Sequence, residues 1–85
     1  SDKIGESYEA VISGVAAFGL FAELPNTIEG FIPLETLEGE FEFIPERFLL
    51  KGNKESYSIG EKVRVKVESV DFERRTRFSL LAKEA

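Results

Sequence analysis

Two phenylalanines three residues apart, Phe18 and Phe21, sit in the run Val15-Ala16-Ala17-Phe18-Gly19-Leu20-Phe21 and straddle a glycine. Exposed side by side, two such rings form a flat apolar surface of the kind on which the bases of single-stranded nucleic acid stack. Their ordinary alternative is to close one end of a small β domain by packing. Six cations gather in the last third of the chain: Lys62, Arg64 and Lys66, then Arg74, Arg75 and Arg77. Arginine both stacks on a base and holds a phosphate with two hydrogen bonds, so the arginines are the stronger candidates. Alone, the cluster also fits a solvated outer face with cross-strand partners such as Glu61, Glu68 or Glu73. The acidic series Glu35, Glu38, Glu40, Glu42 and Glu46 matches no hard-cation loop and reads as a solvated segment that would repel a nucleic acid from its side.

Other chemistry is excluded by absence. The chain has no His, Cys, Met or Trp, which removes the usual zinc ligands and any histidine base. Neither standard glycine-rich phosphate loop occurs. Only hydrolysis by paired carboxylates or an oxygen-ligand metal site stays formally open, and no cofactor is called for. No apolar run is long enough to span a bilayer, so no membrane partner is expected. The lack of cysteine fits a reducing, cytoplasmic setting.

The net charge of −5 runs against the usual basic surface of a nucleic-acid binder. Its distribution matters more than its sum. Residues 1–50 hold two basic side chains against ten acidic ones, whereas residues 51–85 hold nine against six.

These residues need elements to carry them, and the pattern is β almost throughout. The expected strands are Tyr8 to Val15, Leu20 to Leu24, Glu29 to Leu34, Lys62 to Val67 and Arg75 to Leu81, with turns at Ala16 to Gly19, Pro25 to Thr27 and Val70 to Arg74. In the second strand Leu20, Ala22 and Leu24 share one face and Phe21 and Glu23 the other. In the fourth, Val63, Val65 and Val67 oppose Lys62, Arg64 and Lys66. In the fifth, Phe78 and Leu80 point inward and Arg77 and Ser79 outward. Pro33 predicts an edge position for the third strand. The two dozen residues between the third and fourth strands are too apolar for filler. They form a packed excursion, with helical turns at Leu34–Leu37 and at Pro45 and a small hairpin closed at Gly52-Asn53. Five short strands predict an all-β, antiparallel five-stranded barrel over residues 7–82, with a lead-in at 1–6 and a tail at 83–85. An OB-fold and an SH3-like barrel satisfy this pattern equally.

The blocks Gly14 to Leu24, Glu29 to Leu34, Gly60 to Val67, Val70-Asp71 and Arg75 to Leu80 resemble, in order, the S1 domain. That resemblance implies an OB-fold that binds single-stranded RNA. It assigns Phe18 and Phe21 as the two surface aromatics, Asp71 as the aspartate ending the fourth strand, and Arg75 as the basic residue entering the fifth. The family's histidine in the third strand is replaced here by Pro33. Phe31, two residues earlier, is placed in the site to share that role. With Lys62, Arg64 and Arg77 these make up the expected RNA-binding set. Lys3-Ile4-Gly5-Glu6, Val11 to Val15, Phe48 to Gly52 and Tyr57 to Glu61 resemble, more narrowly, the carboxy-terminal S1 domain of bacterial ribonuclease R, a 3′-to-5′ exoribonuclease. This implies a non-catalytic accessory module whose partners are single-stranded RNA and the catalytic domain of a longer parent. The alternatives are an S1-like barrel of another RNA-processing or translation protein, a barrel turned to protein contacts, and a self-contained enzyme.

Overall fold

The computed structural model describes residues 4–84. Five strands close into a barrel: β1 (Ser7–Ala16), β2 (Gly19–Glu23), β3 (Glu29–Pro33), β7 (Lys62–Val70) and β8 (Thr76–Lys83), in the order β1-β2-β3-β8-β7. Between β3 and β7 lies a separate three-stranded sheet of β4 (Phe41–Ile44), β5 (Leu49–Gly52) and β6 (Tyr57–Ser58). All barrel pairings are antiparallel except β3 with β8, which run parallel.

β1 serves two neighbours because it is long. Its first half pairs with β7 and its second half with β2, and an irregularity between Ile12 and Gly14 marks the bend. Such a bulge lets one strand turn a barrel corner. The inward positions form one core: Ala10, Ile12, Leu20, Ala22, Ile32, Val63, Val65, Val67 and Phe78 are all buried. Gly30 faces this core, where a Cβ would come within 2.5 Å of the Phe78 ring. The glycine thus leaves the space that Phe78, a fully buried side chain, fills.

Alternation predicted the faces of β2, of β7 from Lys62 to Val67 and of β8 from Arg77 to Leu80 as they stand. Three expectations about the backbone need correction. Pro33 does not mark an edge strand. β3 has neighbours on both sides, but its ladder with β8 involves only Gly30 and Phe31, so the N–H that proline lacks is not needed there. Arg75 does not begin the last strand but ends the preceding turn, and β8 runs on to Lys83, inside the segment expected as a tail. The excursion holds more than two turns and a hairpin. The 3-10 turns fall at Leu34–Thr36 and Pro45–Arg47 as expected, and a small sheet surrounds the second. Of the expected lead-in and tail, residues 1–3 and 85 lie outside the described residues.

The small sheet is tied to the barrel at two levels. Leu37, Leu50 and Tyr57 are buried in the common core, with Phe41 and Phe43 packed against it. At the surface, the Lys83 ammonium donates to the Ser56 carbonyl at 2.6 Å, pairs with Glu61 at 3.3 Å and lies 5.5 Å from the centre of the Tyr57 ring. Among the described residues no helix is long and apolar enough to cross a membrane.

Candidate nucleic-acid interface

Outward-facing residues form a row across the barrel where four ladders are in register. Gly14 on β1 pairs with Phe21 on β2, Phe21 with Phe31 on β3, Phe31 with Arg77 on β8, and Arg77 with Ser69 on β7. The row changes from aromatic to cationic between β3 and β8. Phe18, in the β1–β2 turn, completes the aromatic part. Its ring centre lies 5.5 Å from that of Phe31 and 6.4 Å from that of Phe21, and Phe21 and Phe31 are 5.1 Å apart. The three rings therefore touch one another. Phe18 is 61% exposed, while Phe21 and Phe31 are half-buried beside it.

The turn that presents Phe18 depends on Gly19. Its φ of +154° and the crowding around it leave no room for a side chain, since a Cβ would lie 2.3 Å from the Ile32 carbonyl oxygen and 2.7 Å from the Phe31 ring. The Leu34 N–H donates to the Phe18 carbonyl at 2.9 Å, anchoring the turn to the end of β3. Pro33, paired with Gly19, is buried and offers no stacking face. Phe31 supplies the third ring instead.

Across the groove stands the β7–β8 turn. Asp71 Oδ1 accepts hydrogen bonds from the backbone N–H groups of Arg75 at 2.9 Å and Glu73 at 3.0 Å, and Oδ2 accepts from Arg75 Nε at 3.0 Å. Arg75 Nη2 also meets Glu73 at 2.6 Å. Donation from the Arg75 N–H, reinforced by the guanidinium and by the Glu73 N–H, holds the Asp71 carboxyl below the ordinary aspartate value against a smaller desolvation effect. Asp71 thus organises the turn and aims Arg75.

A groove of about 590 Å³ joins these groups, lined by the three phenylalanines, Ser69, Asp71, Arg75, Thr76 and Arg77. It brings together six of the eight residues expected from the sequence: Phe18, Phe21, Phe31, Asp71, Arg75 and Arg77. Lys62 and Arg64 are not among them. They face outward as alternation requires, but they start β7 while the groove meets its end at Ser69. Five strand steps of about 3.3 Å each separate Arg64 from Ser69. Arg64 Nε donates to Glu84 at 3.1 Å, and Lys62 lines another depression with Glu9 and Glu23.

Ser69 and Thr76 line the groove without having been anticipated. Simple alternation from the buried Val67 would turn Ser69 inward, but the register shifts between Val67 and Ser69 and brings it outside. A bulge of this kind leaves no mark in a single sequence.

An exposed aromatic platform with one arginine on the neighbouring strand and another in the turn before it is how single-strand binders combine stacking with phosphate neutralisation. The family model described as the S1 RNA binding domain matches residues 1–81. Ribonuclease R of Ureaplasma parvum is 42% identical over 83 residues, covering 93% of the chain. Ribonuclease R of Escherichia coli K12 is 32% identical over 88 residues, covering 98%. Mycoplasma genitalium RNase R, solved in complex with ribose-methylated single-stranded RNA, superposes with a TM-score of 0.86 at 31% identity over 95% of the chain. The chain spans only 12%, 11% and 13% of these three relatives. With the closed OB barrel on which the groove is built, these matches establish that the chain belongs to the S1 RNA-binding domain family.

Proposed function

We propose that the Phe18–Phe21–Phe31 platform, with Arg75 and Arg77 beside it and Asp71 holding Arg75 in place, is where this domain takes single-stranded RNA. Bases stack on the rings and the arginines meet the phosphates. The observation that carries this reading is the mutual contact of three rings on the barrel exterior, one of them 61% exposed. Water-facing aromatic clusters are unfavourable unless a flat apolar partner covers them. Lys62 and Arg64 have no part in the contact.

The module, whose strands run from Ser7 to Lys83, serves a longer cytoplasmic 3′-to-5′ exoribonuclease of the ribonuclease R type. It holds RNA for a catalytic domain elsewhere and cleaves nothing itself. The support is the similarity to ribonuclease R over nearly the whole chain, and the absence from the sequence of histidine and cysteine.

Titration of the 85-residue chain with a labelled single-stranded RNA at low salt tests the site. Removing each ring should cost about 1–3 kcal/mol, so Phe18→Ala/Phe21→Ala should lose most of the affinity while the barrel's circular dichroism is unchanged. Equal affinity in the double variant would move the site elsewhere. Incubation with RNA and magnesium should leave the RNA intact, and shortened products would overturn the accessory role.

A further inference from the structure

The same β7–β8 turn has a second side. Phe72, at its tip, is 96% exposed. Behind it a groove of about 680 Å³ runs between Tyr8, Ile28, Val70, Asn26 and Arg74. This groove and the aromatic groove share two lining residues, Asp71 and Thr76. They are therefore the two flanks of one turn, and a strand lying on the platform reaches the second by passing over the turn.

The chemistry of the second flank suits a nucleotide. Among the described residues no other aromatic ring packs on Phe72. Arg74 is exposed, and among the described residues it has no acidic partner within ion-pair distance. Asp71, the acidic group between the flanks, has both oxygens engaged with Glu73 and Arg75. Arg74 is held with φ +66° by donation of its N–H to the Asp71 carbonyl at 2.9 Å. A non-glycine residue adopts that backbone only where its surroundings impose it.

We infer that Phe72 and Arg74 form a second stacking and phosphate subsite, so that bound RNA crosses the β7–β8 turn and occupies both flanks. The inference rests on the platform reading above, and its test separates the two.

The 85-residue chain is titrated with labelled oligouridines of about 4 and about 10 nucleotides, within the ~4–16-nucleotide footprint of single OB folds. The longer RNA should bind more tightly. Phe72→Ala should lose about 5- to 150-fold on the longer RNA, the worth of one stacked base, and leave the shorter one unchanged. Arg74→Asn, which tolerates the left-handed backbone, should lower the salt slope by about 0.7 on the longer RNA only. Extra binding registers on a longer strand favour wild type and variants alike, so the ratio between them is the readout. If Phe72→Ala keeps the full length-dependent gain, the inference is wrong, and the apolar second flank faces a protein. If Phe18→Ala/Phe21→Ala also binds both RNAs like wild type, the platform reading fails too.

Discussion

Asp71 is the residue on which the cationic side of the groove turns. Its two oxygens accept three hydrogen bonds from the turn it opens, two from Arg75 and one from Glu73. Because these bonds favour the ionised form, the folded chain gives up this proton at lower pH than the unfolded chain does. The turn therefore contributes its full stability above the unfolded value of about 4, and loses it as pH falls through the lower folded value. Asp71→Asn should be less stable than wild type at pH 7 in urea unfolding, and the gap should narrow steadily on acidification below pH ~4. A gap that stays constant with pH would mean the carboxylate charge is not what holds the turn. Some acid lability should persist in the variant, because the Ser79 hydroxyl lowers the Glu68 carboxyl in the same way. At this scale much of the site was legible. Phe18 and Phe21 stand out by their spacing across a glycine, but the resemblance to the S1 domain is what assigns them and Asp71 to the site and places Phe31, two residues before Pro33, beside them. That Lys62 and Arg64 lie away from the groove is not legible, because alternation tells which face a side chain takes and not which end of the strand meets the groove. That end is fixed by register with β8, a pairing of residues distant in the chain.

The elements carry the site through one internal contact. β3 presents Phe31 outward and, one residue earlier, Gly30 inward beneath the Phe78 ring of β8. Gly30→Ala puts a methyl group 2.5 Å from that fully buried ring. Overpacking of this kind costs about 1–3 kcal/mol. The urea midpoint should fall accordingly. RNA affinity should fall with it if the parallel β3–β8 contact shifts, because Phe31 and Arg77 are paired across that ladder. Unchanged stability would show that the barrel breathes at this corner. The strands of the barrel were readable because each is long enough for alternation to show. The small sheet was not. Its strands have four, four and two residues, and Pro45 and Gly52 read locally as breakers. What makes them strands is burial of Leu50 and Tyr57 in the barrel's own core, with the Lys83 contacts beside them, a tertiary cause that no local pattern records.

Across the whole molecule, a net charge of −5 and an RNA ligand are compatible because the charge is divided. Half of the ten acidic residues of the first half lie on the excursion, from Glu35 to Glu46, whereas the groove is bordered by Arg75 and Arg77. Arg75 is itself shared with Asp71 and Glu73, so few phosphates are neutralised when RNA binds, and stacking must supply most of the affinity. This makes a quantitative demand. For single strands the logarithm of affinity falls with the logarithm of salt by about 0.7 per neutralised phosphate, so two arginines give a slope near −1.4 on an RNA that covers only the platform. Arg77→Ala should bring it to about −0.7, while Lys62→Ala and Arg64→Ala should leave it unchanged. Kd measured across a range of salt concentrations for these four chains decides the matter. A wild-type slope steeper than about −3 would require at least four phosphate contacts, and would bring the cations at the far end of β7 back into the interface.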